Sequence, residues 1–86
     1  MNSKMFIEIC KEKVAEYVNE LRAVSVPHDD IYVVWSCKTL QNSKALLSTN
    51  ISDGMYYELT YNGDKKELYL DAYKKSENIK FVDVGK

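Results

Sequence analysis

One histidine, two cysteines and a scatter of carboxylates are the residues of this 86-residue chain that could do chemistry. His28-Asp29-Asp30 sets an imidazole beside two carboxylates, the donor types of a metal site or of an acid–base pair. Adjacent loop residues seldom converge on one metal, and a tetrahedral site needs more ligands than stand nearby. Asp29 or Asp30 is expected instead to cap a turn or enter the following strand. Cys37 with His28 would supply a nucleophile and a base, given a cleft and an oxyanion hole where strand end and loop meet. Cys37 falls in phase with Ile31, Val33 and Trp35, however, which predicts core packing for it. Glu58 and Asp71 form the last pair, and a flat sheet face lacks the water-excluding hollow that drives two carboxylate pKa values apart. Gly54, Gly63 and Gly85 are spaced as turn residues rather than as a phosphate loop. No catalytic, cofactor-binding or metal-binding set is expected, and the chain reads as non-enzymatic.

The elements that position these residues are legible from periodicity. Residues from Ser3 to about Leu21 carry Phe6, Ile9, Cys10, Val14, Tyr17, Val18 and Leu21 at helical spacing, with Asn2 or Ser3 as N-cap. A connector, Arg22 to Asp30, contains Pro27, which cannot continue a helix. Residues 31–37 form the clearest strand, with Ile31, Val33, Trp35 and Cys37 assigned to one face and Tyr32, Val34 and Ser36 to the other. Strands follow over 44–51, 55–61 and 67–73, with Asp53-Gly54 marking a tight turn. Asn62-Gly63 between two alternating runs is a strong hairpin signal. A four-residue loop from Asn62 to Lys65 would pair Leu59 with Leu68, Tyr57 with Leu70 and Met55 with Ala72. Trp35 is expected to be buried against Val14 and Tyr17. Residues 74–86 read as a tail in which Ile79, Phe81, Val82 and Val84 add a short edge or tuck under the sheet. A helix over Glu67 to Lys80 competes there, and the hairpin signal favours strand. The fold class is therefore α+β: one domain, residues 1–86, with an N-terminal helix packed on a four-stranded antiparallel β-meander.

Composition narrows the class of partner. Hydrophobic residues make up 45% and charged residues 29%, which supports a core and a solvated surface and argues against disorder. Net charge is −1 and the pI about 5.8, without the basic excess that phosphate neutralisation requires of most nucleic-acid binders. No run of about 20 apolar residues offers a membrane span. Glu8, Lys11, Glu12 and Lys13 interrupt the start of the chain where a secretory signal would be apolar, so a cytoplasmic location is expected. Cys10 and Cys37 are expected to be buried, reduced thiols; a helix-to-sheet disulfide is the other geometry open to them.

The hairpin assigns Tyr56, Glu58, Thr60, Glu67, Tyr69, Asp71 and Tyr73 to the face away from the core. Tyrosine gives rigid contact area with a polar tip, so Tyr56, Glu58, Tyr69, Asp71 and Tyr73 are the candidate partner-binding residues. Their acidity suits a basic protein surface better than phosphates. Nucleic acid is the second reading, through Lys65-Lys66 at a turn and Lys74-Lys75 after the last strand. An exposed sheet edge could also pair two copies.

Four segments carry a family resemblance: Val-Trp-Ser-Cys-Lys-Thr-Leu-Gln-Asn (34–42), Lys-Ala-Leu-Leu-Ser-Thr (44–49), Asp-Gly-Met-Tyr-Tyr-Glu-Leu-Thr-Tyr-Asn-Gly-Asp-Lys (53–65) and Glu-Leu-Tyr-Leu-Asp-Ala-Tyr-Lys-Lys (67–75). Together they resemble a small uncharacterised family of phages and prophages of Gram-positive bacteria, and the likeness extends over the helix and up to Asn78. The connector is shorter than usual for that family, and Ser76 stands where its members tend to carry tryptophan. The resemblance implies a phage or prophage protein and brings no activity with it. With no catalytic inventory in the chain, the expectation is an accessory protein in the host cell that acts by binding a host or phage protein, for instance to inhibit a defence or replication factor.

Overall fold

The computed structural model describes residues 1–21 and 25–85, so the start of the connector (residues 22–24) and Lys86 lie outside the described part. Helix α1 spans Ser3–Leu21. The side-chain oxygen of Asn2 accepts the Met5 N–H at 2.8 Å, which caps a helix that lacks an acidic first turn. Strands β1 (Ile31–Thr39), β2 (Asn42–Thr49), β3 (Met55–Asn62) and β4 (Glu67–Lys74) form one antiparallel sheet in the order β1-β2-β3-β4. This is the helix-on-meander α+β fold that the periodicity predicts.

The helix lies on one face of the sheet, mainly across β1 and β2. It buries Phe6, Cys10, Val14 and Val18 against Ile31, Ala45, Leu47, Tyr57 and Leu59. Tyr17 meets Tyr57 edge to face, with ring centres 5.8 Å apart. Leu21, expected in the apolar stripe, is 73% exposed and lines a groove toward β4, the side of the sheet that the helix leaves half-covered. Past the helix, the Asn19 side chain accepts the Val26 N–H at 2.7 Å and donates to the Val26 carbonyl. That clamp returns the chain to the helix and buries Val26 before a single 3-10 turn, His28–Asp30, leads into β1.

Two expectations are corrected in β1. The ladder runs Val33 to Leu47 and then Trp35 to Leu46, so Val34 is an extra, unpaired residue. Such a bulge reverses the phase of everything after it. Trp35 therefore joins the outer face, 42% exposed, and is not buried against Val14 and Tyr17; Tyr57 occupies the place beside Tyr17. Cys37 turns outward with it and is exposed, whereas Cys10 is buried, so the expectation of two buried thiols holds for Cys10 alone. Both cysteines are free.

The β3–β4 register is also shifted by two from the expected one: Leu59 pairs with Leu70, Tyr57 with Ala72 and Tyr61 with Leu68. Asn62 stays in the ladder opposite Glu67, and its side-chain oxygen accepts the N–H groups of Asp64 (3.1 Å) and Lys65 (3.2 Å). The loop is thus Gly63 to Lys66, closed by Lys66 at φ 55°. Because the slip is even, every side chain keeps its face. The tail after Lys74 neither adds a strand nor tucks under: Ile79, Phe81, Val82 and Val84 are exposed.

Candidate functional site

With α1 on one face, the other face of the sheet is uncovered, and antiparallel pairing arranges its side chains in rows. One row runs Trp35–Leu46–Glu58–Asp71 across all four strands. The next runs Cys37–Lys44–Thr60–Tyr69. On the other side of the first row, Tyr56 stands opposite Tyr73, and Tyr32 opposite Ser48. All five residues singled out from the sequence, Tyr56, Glu58, Tyr69, Asp71 and Tyr73, thus sit together on β3 and β4.

Their environments differ. Tyr69 and Tyr73 are about half exposed, at 54% and 52%, while Tyr56 and Glu58 are half-buried and Asp71 is exposed. Glu58 has a counter-charge, the Lys44 ammonium 3.6 Å away. The Tyr69 hydroxyl donates to the Glu67 carboxylate at 3.0 Å, and that hydrogen bond with the adjacent negative charge pushes the phenol pKa up. Glu58 and Asp71 stand directly opposite each other. Like charges at that distance across a ladder destabilise it, so the fold gains nothing from this pairing.

Tyr32 and Val34 are outward by alternation, as the sequence suggests, but sequence reasoning missed Trp35 and Cys37 on this face. The signal is a mismatch of lengths. Between the end pairs Ile31–Thr49 and Thr39–Asn42, β1 has nine residues and β2 eight, so one β1 residue must be extra. That count exists only once the pairing is known. With these residues added, the face carries a tryptophan and four tyrosines (Tyr32, Tyr56, Tyr69, Tyr73) around one carboxylate pair.

The histidine cluster is arranged otherwise. His28 Nε2 lies 3.5 Å from the Glu8 carboxylate on α1, and Nδ1 lies 3.9 Å from Asp29. Cys37 is on the outer face, away from the helix side that His28 contacts. Among the described residues, no group of three or more His, Cys, Asp or Glu side chains converges to hold a metal ion. No helix among them is long and apolar enough to cross a membrane.

The two hairpin turns at one end of the sheet touch: the Gly63 N–H donates to the Asn42 side chain at 3.3 Å. Lys38 and Lys66 line the hollow between them, and the Lys38 ammonium donates to the Met1 carbonyl at 3.1 Å.

Compared with known proteins, residues 7–83 match the model of a family of unknown function, DUF6275. No curated protein and no solved structure matches the chain.

Proposed function

The chain belongs to that family of unknown function, and from its geometry we propose that it is a non-enzymatic protein-binding module. Its uncovered sheet face would hold a basic surface of the partner. The observation that carries this reading is Glu58 facing Asp71, with only Glu58 offset by a lysine. An arginine or lysine from a partner would sit between the two carboxylates and relieve their repulsion. The rings of Tyr69, Tyr73 and Trp35 beside them offer flat contact and cation–π attraction at low entropic cost. A local conflict that costs the fold and suits a ligand is the kind of inconsistency expected at a functional site.

The likeness of the segments between Val34 and Lys75 to phage and prophage proteins of Gram-positive bacteria supports a finer form of the proposal. In that form the chain is a phage or prophage accessory protein working in the host cytoplasm, where it occupies a surface of a host or phage protein, such as a defence or replication factor. The second reading, nucleic-acid binding, draws on the Lys38 and Lys66 hollow between the touching turns. It is the weaker reading, because Glu58, Glu67 and Asp71 would repel phosphates from the aromatic face.

Pull-down from host lysate, with and without nuclease, tests both. A protein captured despite nuclease, and lost with Tyr69→Ala/Asp71→Asn, is the expected result. Each anchoring aromatic contributes about 2 kcal/mol or more at such interfaces. Capture that disappears on nuclease treatment replaces this reading with the nucleic-acid one. Capture indifferent to the double variant removes the outer face as the binding site.

A further inference from the structure

The C-terminal segment carries apolar surface that its own body leaves uncovered. Ile79, Phe81, Val82 and Val84 are between 63% and 75% exposed. Single exposed hydrophobics are ordinary on protein surfaces, but a cluster of large ones within a few residues marks an interaction segment. The molecule is extended for its length, with a radius of gyration of 14.6 Å against about 12 Å for a compact chain of this size.

A receptor of matching character exists on the helix side of the sheet, opposite the aromatic face. Between α1 and β4 runs a groove with Tyr17, Leu21, Leu68 and Leu70 as its apolar lining. It opens there because the helix lies over β1 and β2 and leaves the β4 side of the inner face half-covered. β4 is also an edge strand, hydrogen-bonded to β3 alone. The groove is rimmed by Lys13, Glu16 and Glu20. The tail interleaves its apolar residues with Lys80 and Asp83. On the rim Lys13 pairs with Glu16 at 3.3 Å, which leaves Glu20 as the counter-charge for Lys80.

We propose that two copies of this chain exchange tails, the Ile79–Val84 segment of each lying in the α1–β4 groove of the other. The chain's own groove is a poor destination for its own tail. The Lys75 N–H is held by the Gly54 carbonyl at 2.7 Å, and no turn or bend follows over residues 75–82. Leu68 and Leu70 lie back along that strand, so reaching them in cis would need residues 76–78 to form a tight reversal. Exchange needs no reversal, and because each copy gives and receives the same element, the assembly closes at two. Area is sufficient. A buried aromatic side chain alone removes roughly 150–250 Å² from water. In an extended segment Ile79 and Phe81 share one side, and from both copies, with the grooves they cover, they remove on the order of 1,000 Å² from water, the low end for a specific interface.

Sedimentation of the full chain from micromolar to near-millimolar concentration tests this, with two variants at exposed positions that the fold does not use. Phe81→Asp disables the tail and Leu21→Glu disables the groove. The full chain is expected to dimerise with concentration, and each variant to remain monomeric, with a melting curve that matches the full chain's at dilutions where both are monomers. An equimolar mixture of the two variants should recover association, since one intact tail then meets one intact groove. A dimer that persists in Phe81→Asp would overturn exchange in favour of pairing through a sheet edge or the aromatic face. A full chain monomeric throughout the range would overturn it as well, whether its tail is free or folded back. The outcome is independent of the partner-binding reading, which concerns the opposite face.

Discussion

Trp35 stands opposite Leu46 on the uncovered face of the sheet, with the unpaired Val34 exposed beside it. In this two-against-one bulge the extra residue sets the phase of the strand after it. Ser36 consequently pairs with the buried Ala45, and Trp35 lies in the same cross-strand row as Glu58 and Asp71. The largest ring in the chain is thus spent on a surface.

Trp35→Ala should accordingly cost little stability, within about 1 kcal/mol, which is the range of a cross-strand contact. Tyr57→Ala removes a fully buried ring, 1% exposed and packed on Tyr17, and should cost about 3–5 kcal/mol. Urea unfolding of both variants reads the contrast. Trp35 is the only tryptophan, so native fluorescence should be red-shifted and open to acrylamide quenching. A blue-shifted, protected emission would place the ring in the core.

Deleting Val34 should leave the fold in place. Val33–Leu47 and Trp35–Leu46 then become consecutive pairs of a regular ladder, and no other residue changes face. The expected cost is under about 2 kcal/mol, from lost local twist and contacts. Loss of cooperative unfolding in the deletion variant would show that the bulge itself holds the sheet together.

The two touching hairpin turns should respond oppositely to exchange between glycine and larger residues. Leu40 is at φ 57° and 89% exposed, a left-handed backbone that L side chains avoid at a cost of about 1–2 kcal/mol. Part of that cost returns in Leu40→Gly as chain flexibility, leaving a net gain of roughly 0.5–1 kcal/mol. At Gly63 the reason for glycine is space, since an added Cβ would overlap the backbone carbonyl of Gln41 in the neighbouring turn. Gly63→Ala should therefore lower stability by about 1–3 kcal/mol. Thermal melts of the two variants should move in opposite directions.

The two thiols should separate by reactivity and by pH. Cys37 is exposed and should react with a disulfide reagent in the native protein, whereas Cys10 should react only on unfolding. Burial pushes the Cys10 thiol from 9.0 up to about 12. Between those values the unfolded chain gives up a proton that the folded chain keeps. Its contribution to stability is therefore complete below about pH 9 and lost as pH rises toward 12, with a slope approaching 1.4 kcal/mol per pH unit. Cys10→Ala should flatten that part of the stability–pH curve relative to wild type, and an unchanged slope would contradict the assignment.

The sequence by itself determined the elements, their order and most of their faces. Helical spacing from Phe6 to Val18, alternation in β2, β3 and β4, and Asn62-Gly63 are local signals that survive any choice of tertiary partner. Even the mistaken hairpin register left faces intact, since a slip of two preserves a period of two. Tyr56, Glu58, Tyr69, Asp71 and Tyr73 were legible as one face for that reason. What only the tertiary structure decided was the other half of the face and the unused part of the core side. The bulge at Val34 comes from fitting nine residues of β1 against eight of β2, a relation between strands that neither contains alone. Leu21, Leu68 and Leu70 read as core by pattern, yet the helix lies over β1 and β2 and leaves a groove at β4. Periodicity states which residues share a side; how far the element on that side reaches depends on where it docks.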